Sequence, residues 1–265
     1  MYSPVRLAAK YLAYYLAASN GSGHGIHSPF VFDFINRVLI DKKKYPDYER
    51  VEALRRELLG NKGELDVLDL GAGPGKGSPA RRPIASIARF AAKPAKYGQL
   101  LYRIVRHYQP ASLIELGTSL GITSSYLSLA APAGRVLTLE GSPAIATVAT
   151  ASFERLQLSN ISLMQGHFDD TLPAALDELG RPDFVFVDGN HREEPTLRYF
   201  GQVCARSHND TIVVFDDIHW SSGMEKAWER IKDHPSVRCS IDLFFIGLIF
   251  FREEFYEKQH FTIRF

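Results

Sequence analysis

The chain has 265 residues, 45% hydrophobic and 12% aromatic, enough for a substantial core in one large domain or one domain with an extension. Lys and Arg number 31 against 30 Asp and Glu, a formal charge of +1, so no broad basic field argues for nucleic acid and no charge run for a tail. Cys204 and Cys239 are the only cysteines, which argues against a disulfide framework and makes a reducing, cytoplasmic compartment the expectation.

The opening "MYSPVRLAAKYLAYYLAAS" puts Arg6 and Lys10 before a short apolar run that Tyr11, Tyr14 and Tyr15 interrupt. It reads as a surface helix rather than a signal peptide. Residues from about 1 to 60 read as helical, with the turn-rich "SNGSGHGIHSPF" between two helices and His24 and His27 as turn residues. Residues from about 61 to 95 mix Gly, Pro and Arg, with Pro74, Pro79, Pro83 and Pro94 as breakers. From Tyr97 a regular alternation begins. "YGQLLYRIVRHY" is a helix, "SLIELG" a strand, "TSSYLSLAA" a helix, "RVLTLE" a strand and "AIATVATASFERLQ" a helix. "ISLMQG", "DFVFVDG" and "TIVVFDD" are strands, separated by the helices "LPAALDEL" and "EPTLRYFGQVCAR". "GMEKAWERIKDH" is a last helix, and "RCSIDLFFIGLIFF" closes as a strand pair around Gly247, which would permit a tight return. "LFFIGLIFF" is far short of the ~20 residues that span a bilayer.

Strands alternating with helices imply a mostly parallel sheet covered on both faces. Ligands of such sheets bind beyond the carboxyl ends of the strands. Two glycine loops compete for that role. In "LDVLDLGAGPGKG", Gly71, Gly73, Gly75 and Gly77 do not fit G-x-G-x-x-G, Pro79 and Pro83 interrupt the helix that should follow, and no acid stands about 20 residues on. In "LIELGTSLGIT", Gly117 and Gly121 follow a strand and precede a helix, and Glu140 ends the next strand about 20 residues later. Glu115 and Glu140 flank this second loop, which has no lysine for phosphates. The pair suits a cofactor with ribose hydroxyls and a cationic or amine end.

The segments "YGQLLYRIVRHYQPASLIELGTSLGITSSYLSLA", "RVLTLEGSP", "ISLMQGHFDDTL", "DFVFVDGNH" and "TIVVFDDIHW" together resemble class I S-adenosylmethionine-dependent methyltransferases. The likeness is to the metal-dependent O-methyltransferase branch of catechol and macrolide-sugar enzymes, and it covers about residues 95 to 252. It implies a Rossmann-like, seven-stranded, mostly parallel α/β sheet with an antiparallel last strand. The methyltransferase domain would span 95–265. Residues 1–94 would be a helical N-terminal extension with an accessory loop or lid, and "HGIHSPF" resembles an extension of some bacterial members. By the same likeness Glu115, Gly117, Thr118, Ser119 and Gly121 would hold the cofactor's methionine part. Glu140 would accept the ribose hydroxyls, Gly141 and Ser142 would lie beside the adenosine, and Phe168 and Asp169 would border the adenine. Asp169 and Asp170 would otherwise be N-caps of the following helix.

Asp188 follows "FVFV", and Asp216 and Asp217 follow "TIVVF", all at carboxyl ends of strands. Three converging acids raise at least one pKa unless a cation intervenes, and a hard divalent ion such as Mg²⁺ suits oxygen donors. In the metal-dependent branch these positions bind such an ion, and Asp188 also borders the cofactor; the Asp-Asp pair here is more anionic than the usual one. His191, three residues after Asp188, occupies the position of the base, and an imidazole near neutrality can take a hydroxyl proton. His219 and Trp220 are weaker candidates. The expected reaction is methyl transfer to a hydroxyl of a small molecule, with no nucleic-acid or membrane partner and with a homodimer left open. Two other classes compete: a cofactor-binding pseudoenzyme working through its extension, and a nicotinamide-dependent oxidoreductase, against which the missing G-x-G-x-x-G counts.

Overall fold

A computed structural model of the chain describes residues 1–19, 21, 27–68, 79–90 and 93–265. It opens with α1 (Pro4–Ala17), α2 (Pro29–Phe34), which runs on into one π-helical turn at Ile35–Leu39, and α3 (Pro46–Gly60). Next come β1 (Glu64–Leu68), β2 (Pro79–Pro83), α4 (Ile84–Phe90) and α5 (Ala95–Tyr108). The alternating part follows as β3 (Ser112–Leu116), α6 (Ile122–Ala130), β4 (Arg135–Glu140), α7 (Pro143–Arg155), β5 (Ile161–Gln165) and α8 (Phe168–Leu179). It continues through β6 (Phe184–Val187), α9 (Glu193–Cys204), β7 (Ile212–Asp216) and α10 (Ser222–Asp233) to β8 (Cys239–Asp242), β9 (Ile246–Phe250) and β10 (Gln259–Thr262). Among the described residues the alternating part has eight strands, one more than the seven expected. No helix among the described residues is long and apolar enough to cross a membrane.

One compact unit combines residues 1–41 with 180–265, and the other holds 42–179. In the first, the strands run β10-β8-β9-β7-β6. β6 and β7 are parallel, and their apolar runs "FVFV" and "IVVFD" are wholly buried, the pattern of strands covered on both faces. β9 is antiparallel to both β7 and β8, as the closing strand pair requires. The return lies at Leu243–Phe245, where the Leu243 carbonyl region is turned by Phe244 at φ 69° and the Leu243 N–H donates to the Ile246 carbonyl at 2.9 Å.

Gly247 is therefore not the turn residue. It lies inside β9, opposite Phe215 and Asp242, and its missing side chain admits the buried Trp228 ring: a Cβ there would sit 2.6 Å from the indole. Gly247→Ala should destabilise the protein by about 1–3 kcal/mol, the cost of overpacking a filled core. A lowered denaturant midpoint at unchanged m-value would show it, and an unchanged midpoint would mean that the indole moves aside freely.

β10 pairs parallel with β8 at the end of the strand order. Its sequence "QHFT" is too polar to read as a strand, which suits an edge position where half the residues stay exposed. Ser19, just beyond α1, forms a bridge to Ile263 beyond β10. α1 starts with Ser3 accepting the Arg6 N–H and with Pro4 in its first turn. Tyr14 of α1 and Ala18 at its C-cap pack with Phe244, with Leu7, Tyr11 and Phe245 around them.

In the second unit β3, β4 and β5 are parallel, with Glu115 opposite Thr138 and Glu140 opposite Gln165. β1 and β2 pair antiparallel as a separate two-stranded sheet. Pro79 and Pro83 occupy the ends of β2, where a missing N–H is tolerated. β2, rather than a helix, is the element that follows the first glycine-rich stretch in the chain. Gly71, Gly73, Gly75 and Gly77, with the lid expected there, fall outside the described residues, as does His24.

Candidate functional site

The second unit builds a polar cradle at the ends of β3 and β4. Gly117 (φ 104°), Ser119 (φ 48°) and Gly121 (φ 83°) all take left-handed backbone, so the chain leaves β3 in a tight loop before α6. A Cβ on Gly121 would lie 2.7 Å from the Phe153 ring, so the position is closed to side chains by space as well as by φ. The Gly117 and Thr118 N–H groups both donate to the Leu139 carbonyl, which ties the loop to the end of β4.

Two acids face this loop. Glu140 accepts the Ser119 N–H at 3.0 Å on Oε2 and the Ser142 N–H at 2.9 Å on Oε1, so backbone donors fix its carboxylate. Burial raises its pKa, against the backbone N–H groups of Ser142, Ser119 and Gly141, which lower it. Glu115 is fully buried, and its Oε2 accepts hydroxyl hydrogen bonds from Ser124 and from Thr138. Burial pushes the Glu115 carboxyl up to about 7, although those two hydroxyls pull it down. Glu115 Oε1, Ser119 Oγ and Ser142 Oγ are buried with no hydrogen-bond partner among the described residues. Buried polar atoms left this way call for a ligand or water.

The raised Glu115 pKa has a consequence for stability. A carboxyl titrating at about 7 when folded, against 4.5 as its ordinary value, stabilises fully below pH 4.5 and loses that contribution as pH rises through about 7. For this shift the loss is about 3 kcal/mol. Glu115→Gln should therefore flatten the fall in stability of the ligand-free protein between pH 5 and pH 7. Equal pH slopes for the two proteins in urea titrations would remove Glu115 from the account.

Phe168 opens α8, and Asp169 and Asp170 lie exposed in its first turn, where carboxylates favour the helix dipole. Neither is the N-cap. His167 precedes the helix, and its carbonyl accepts the Asp170 and Thr171 N–H groups.

The first unit brings together a different set. Asp188, His191 and Asp216 offer ligand-type atoms that all lie within 4.8 Å of one another. His191 Nε2 is 3.5 Å from Asp188 Oδ1. The short loop that turns the imidazole back toward Asp188 depends on Asn190, which is buried in left-handed backbone (φ 52°). The Asn190 amide donates to the Tyr199 hydroxyl and its Oδ1 accepts from Arg192. Asp216 is buried at the end of β7. Asp217 is not one of these three; the chain takes φ 53° there, and the Asp217 N–H donates to the Phe245 carbonyl at 2.7 Å. The Asp188 and Asp216 carboxylates this close offer oxygen donors that fit a hard divalent ion, with the His191 imidazole beside them.

His219 is bound elsewhere in the same unit, with Nε2 2.8 Å from Asp242 and Nδ1 3.1 Å from Glu225. Burial pulls its pKa down, but Asp242 and then Glu225 outweigh that and hold it above the ordinary value. Trp220 is half-buried, and its carbonyl accepts the Tyr2 N–H. His27 is exposed. Sequence reasoning did not reach Ser124, Thr138 or the Glu225 contacts. The available signal for Thr138 was a hydroxyl at an inward position of an apolar strand.

A parallel sheet with a left-handed glycine loop after one strand and a clamped carboxylate after the next defines a Rossmann-like, nucleotide-cofactor architecture. Within it, residues 114–218 match the family described as Methyltransferase domain. The chain is 31% identical over 124 residues to a catechol O-methyltransferase of Niastella koreensis, covering 46% of this chain and 55% of that protein. It is 29% identical over 143 residues to a catechol O-methyltransferase of Mycobacterium tuberculosis, covering 53% of this chain and 62% of that protein. The matches thus span little more than half the length of these relatives. The fold is shared with an O-methyltransferase from Bacillus cereus in complex with SAH, at TM-score 0.56 and 20% identity over 83% of this chain and 97% of that one.

Proposed function

We propose that the protein transfers a methyl group from S-adenosylmethionine to a hydroxyl oxygen of a small molecule, with help from a divalent ion such as Mg²⁺. Residues 95–265 carry the transferase function in this reading, and 1–94 are accessory to it. The observation that carries it is the cradle of buried, unpartnered polar atoms, Glu115 Oε1, Ser119 Oγ and Ser142 Oγ, around the clamped Glu140. That set suits the ammonium and hydroxyls of the cofactor and offers no cation for a pyrophosphate. Gly117, Thr118 and Gly121 shape the backbone against the methionine part, Gly141 lies beside the adenosine, and Phe168 and Asp169 border the adenine. The bound SAH named for the Bacillus cereus structure and the catechol named for the relatives support the same cofactor and a small hydroxyl acceptor.

Methyl transfer is an in-line displacement at an activated sulfonium, so the protein mainly orients the acceptor and removes its proton. Asp188 and Asp216 would hold the ion, which when bound would lower the acceptor's pKa. Asp188 orients His191 through the 3.5 Å contact at Nε2, and His191 takes the hydroxyl proton. Calorimetry with SAH and with NAD, followed by turnover of a phenol and alcohol panel with and without EDTA, tests the reading. SAH should bind, NAD should not, and EDTA should stop turnover while sparing SAH affinity. Preference for NAD rejects the function, and full activity in EDTA rejects the ion and leaves the Asp188–His191 pair as the proton acceptor.

A further inference from the structure

One carboxylate in the first unit gathers the N-terminal helix and the loop behind the acid pair. Glu225 accepts from Lys10 Nζ at 2.8 and 3.1 Å, from the Tyr2 hydroxyl at 2.7 Å and faces His219 Nδ1 at 3.1 Å. Its position at the start of α10 is set by Ser221, whose Oγ accepts the Met224 N–H. Between Asp216 and α10 the chain has no regular structure, so single bonds fix its course. The Asp217 N–H donates to Phe245, the Trp220 N–H to the Asp217 carbonyl, and the Tyr2 N–H to the Trp220 carbonyl. His219 bridges from Glu225 to Asp242 with its ring stacked on Phe244, centroids 5.0 Å apart.

These contacts exceed what attaching α1 needs. Tyr11 and Tyr14 already pack on Phe244 with centroids 5.1 and 5.2 Å apart, and burial of such rings supplies the docking energy. The Lys10–Glu225 pair is partly exposed, 33% and 24%, and pairs of that kind add little to stability. Their effect falls instead on the loop that follows Asp216.

We propose that Glu225 is a positioning residue for the acid group. By holding His219 directly and the Tyr2–Trp220 contact through the Tyr2 hydroxyl, it fixes the loop that follows Asp216 and with it the direction in which Asp216 presents its carboxylate. The proposal rests on the reading of Asp188 and Asp216 as holders of a divalent ion. α1, read from sequence as part of an extension, becomes a working part of the site.

Mn²⁺ titration followed by electron paramagnetic resonance tests this on the full chain, alongside SAH calorimetry and thermal unfolding. Glu225→Ala should weaken Mn²⁺ binding by about tenfold, the low end for outer-shell partners of a metal site, with SAH affinity unchanged. Glu225→Gln, which keeps an acceptor for Tyr2 and Lys10, should recover part of that loss. Should Glu225→Ala fail to fold, Lys10→Met makes the same test from the helix side and should weaken Mn²⁺ binding in the same direction. Wild-type Mn²⁺ affinity in these variants overturns the positioning role alone. No Mn²⁺ binding by the wild-type chain overturns the ion-binding reading, and this proposal with it.

Discussion

His191→Ala lowers kcat by ~10²–10⁴, the usual scale for loss of a general base, and leaves SAH affinity as it was. The expectation follows from geometry: the imidazole is held 3.5 Å from Asp188 by a loop that Asn190 bends, and no part of the cofactor cradle depends on it. Because the effect is on proton removal, the acceptor's KM should change much less than kcat. A single-turnover assay with a saturating acceptor gives the measurement. Undiminished turnover in His191→Ala, together with full activity in EDTA, would leave only orientation of the two reactants, and the mechanism proposed above would be wrong.

Glu140→Ala should weaken S-adenosylmethionine binding by about 1.5–3 kcal/mol, the value of a hydrogen bond to a charged group. The truncation also strands the Ser119 and Ser142 N–H groups that now clamp the carboxylate, so a loss near the upper end is expected. Gly73→Val is the matching control. The strands either side of that glycine, β1 and β2, pair as a separate two-stranded sheet, so the variant should bind the cofactor normally. The reverse outcome, with binding lost in Gly73→Val and kept in Glu140→Ala, would mean that the wrong glycine loop has been assigned to the cofactor.

The parallel core was legible because its strands are short apolar runs, such as "FVFV" and "IVVF", which only a sheet covered on both faces demands. Glu115 and Glu140 were legible as well, since a carboxylate in or at the end of such a run has no packing reason to be there. β2 was hidden by Pro79 and Pro83, which read as breakers although an edge strand tolerates them at its ends. β10 was hidden by the polarity that an edge strand needs. Gly247 misled for a related reason: a glycine in a strand pair suggests a turn, whereas here it makes room for Trp228, a residue distant in sequence. The Glu225 contacts could not be read at all. Lys10 lies 215 residues from Glu225, and no local pattern encodes a partner at that distance.

The division of the chain into units also bears on the order in which the molecule is made. Residues 42–179 are one uninterrupted stretch, so every segment of the second unit is available once that stretch has left the ribosome. The first unit is written in two pieces, 1–41 and 180–265. Its N-terminal helix is synthesised early, but the Phe244 that covers Tyr11 and Tyr14 comes more than two hundred residues later. Until Phe244 has been made those tyrosines lack that partner, and closing contacts of that separation is slow. Chaperone dependence and premature association during expression should therefore track the first forty residues, and substitutions that lower the apolar character of α1 should relieve them before they touch the finished fold.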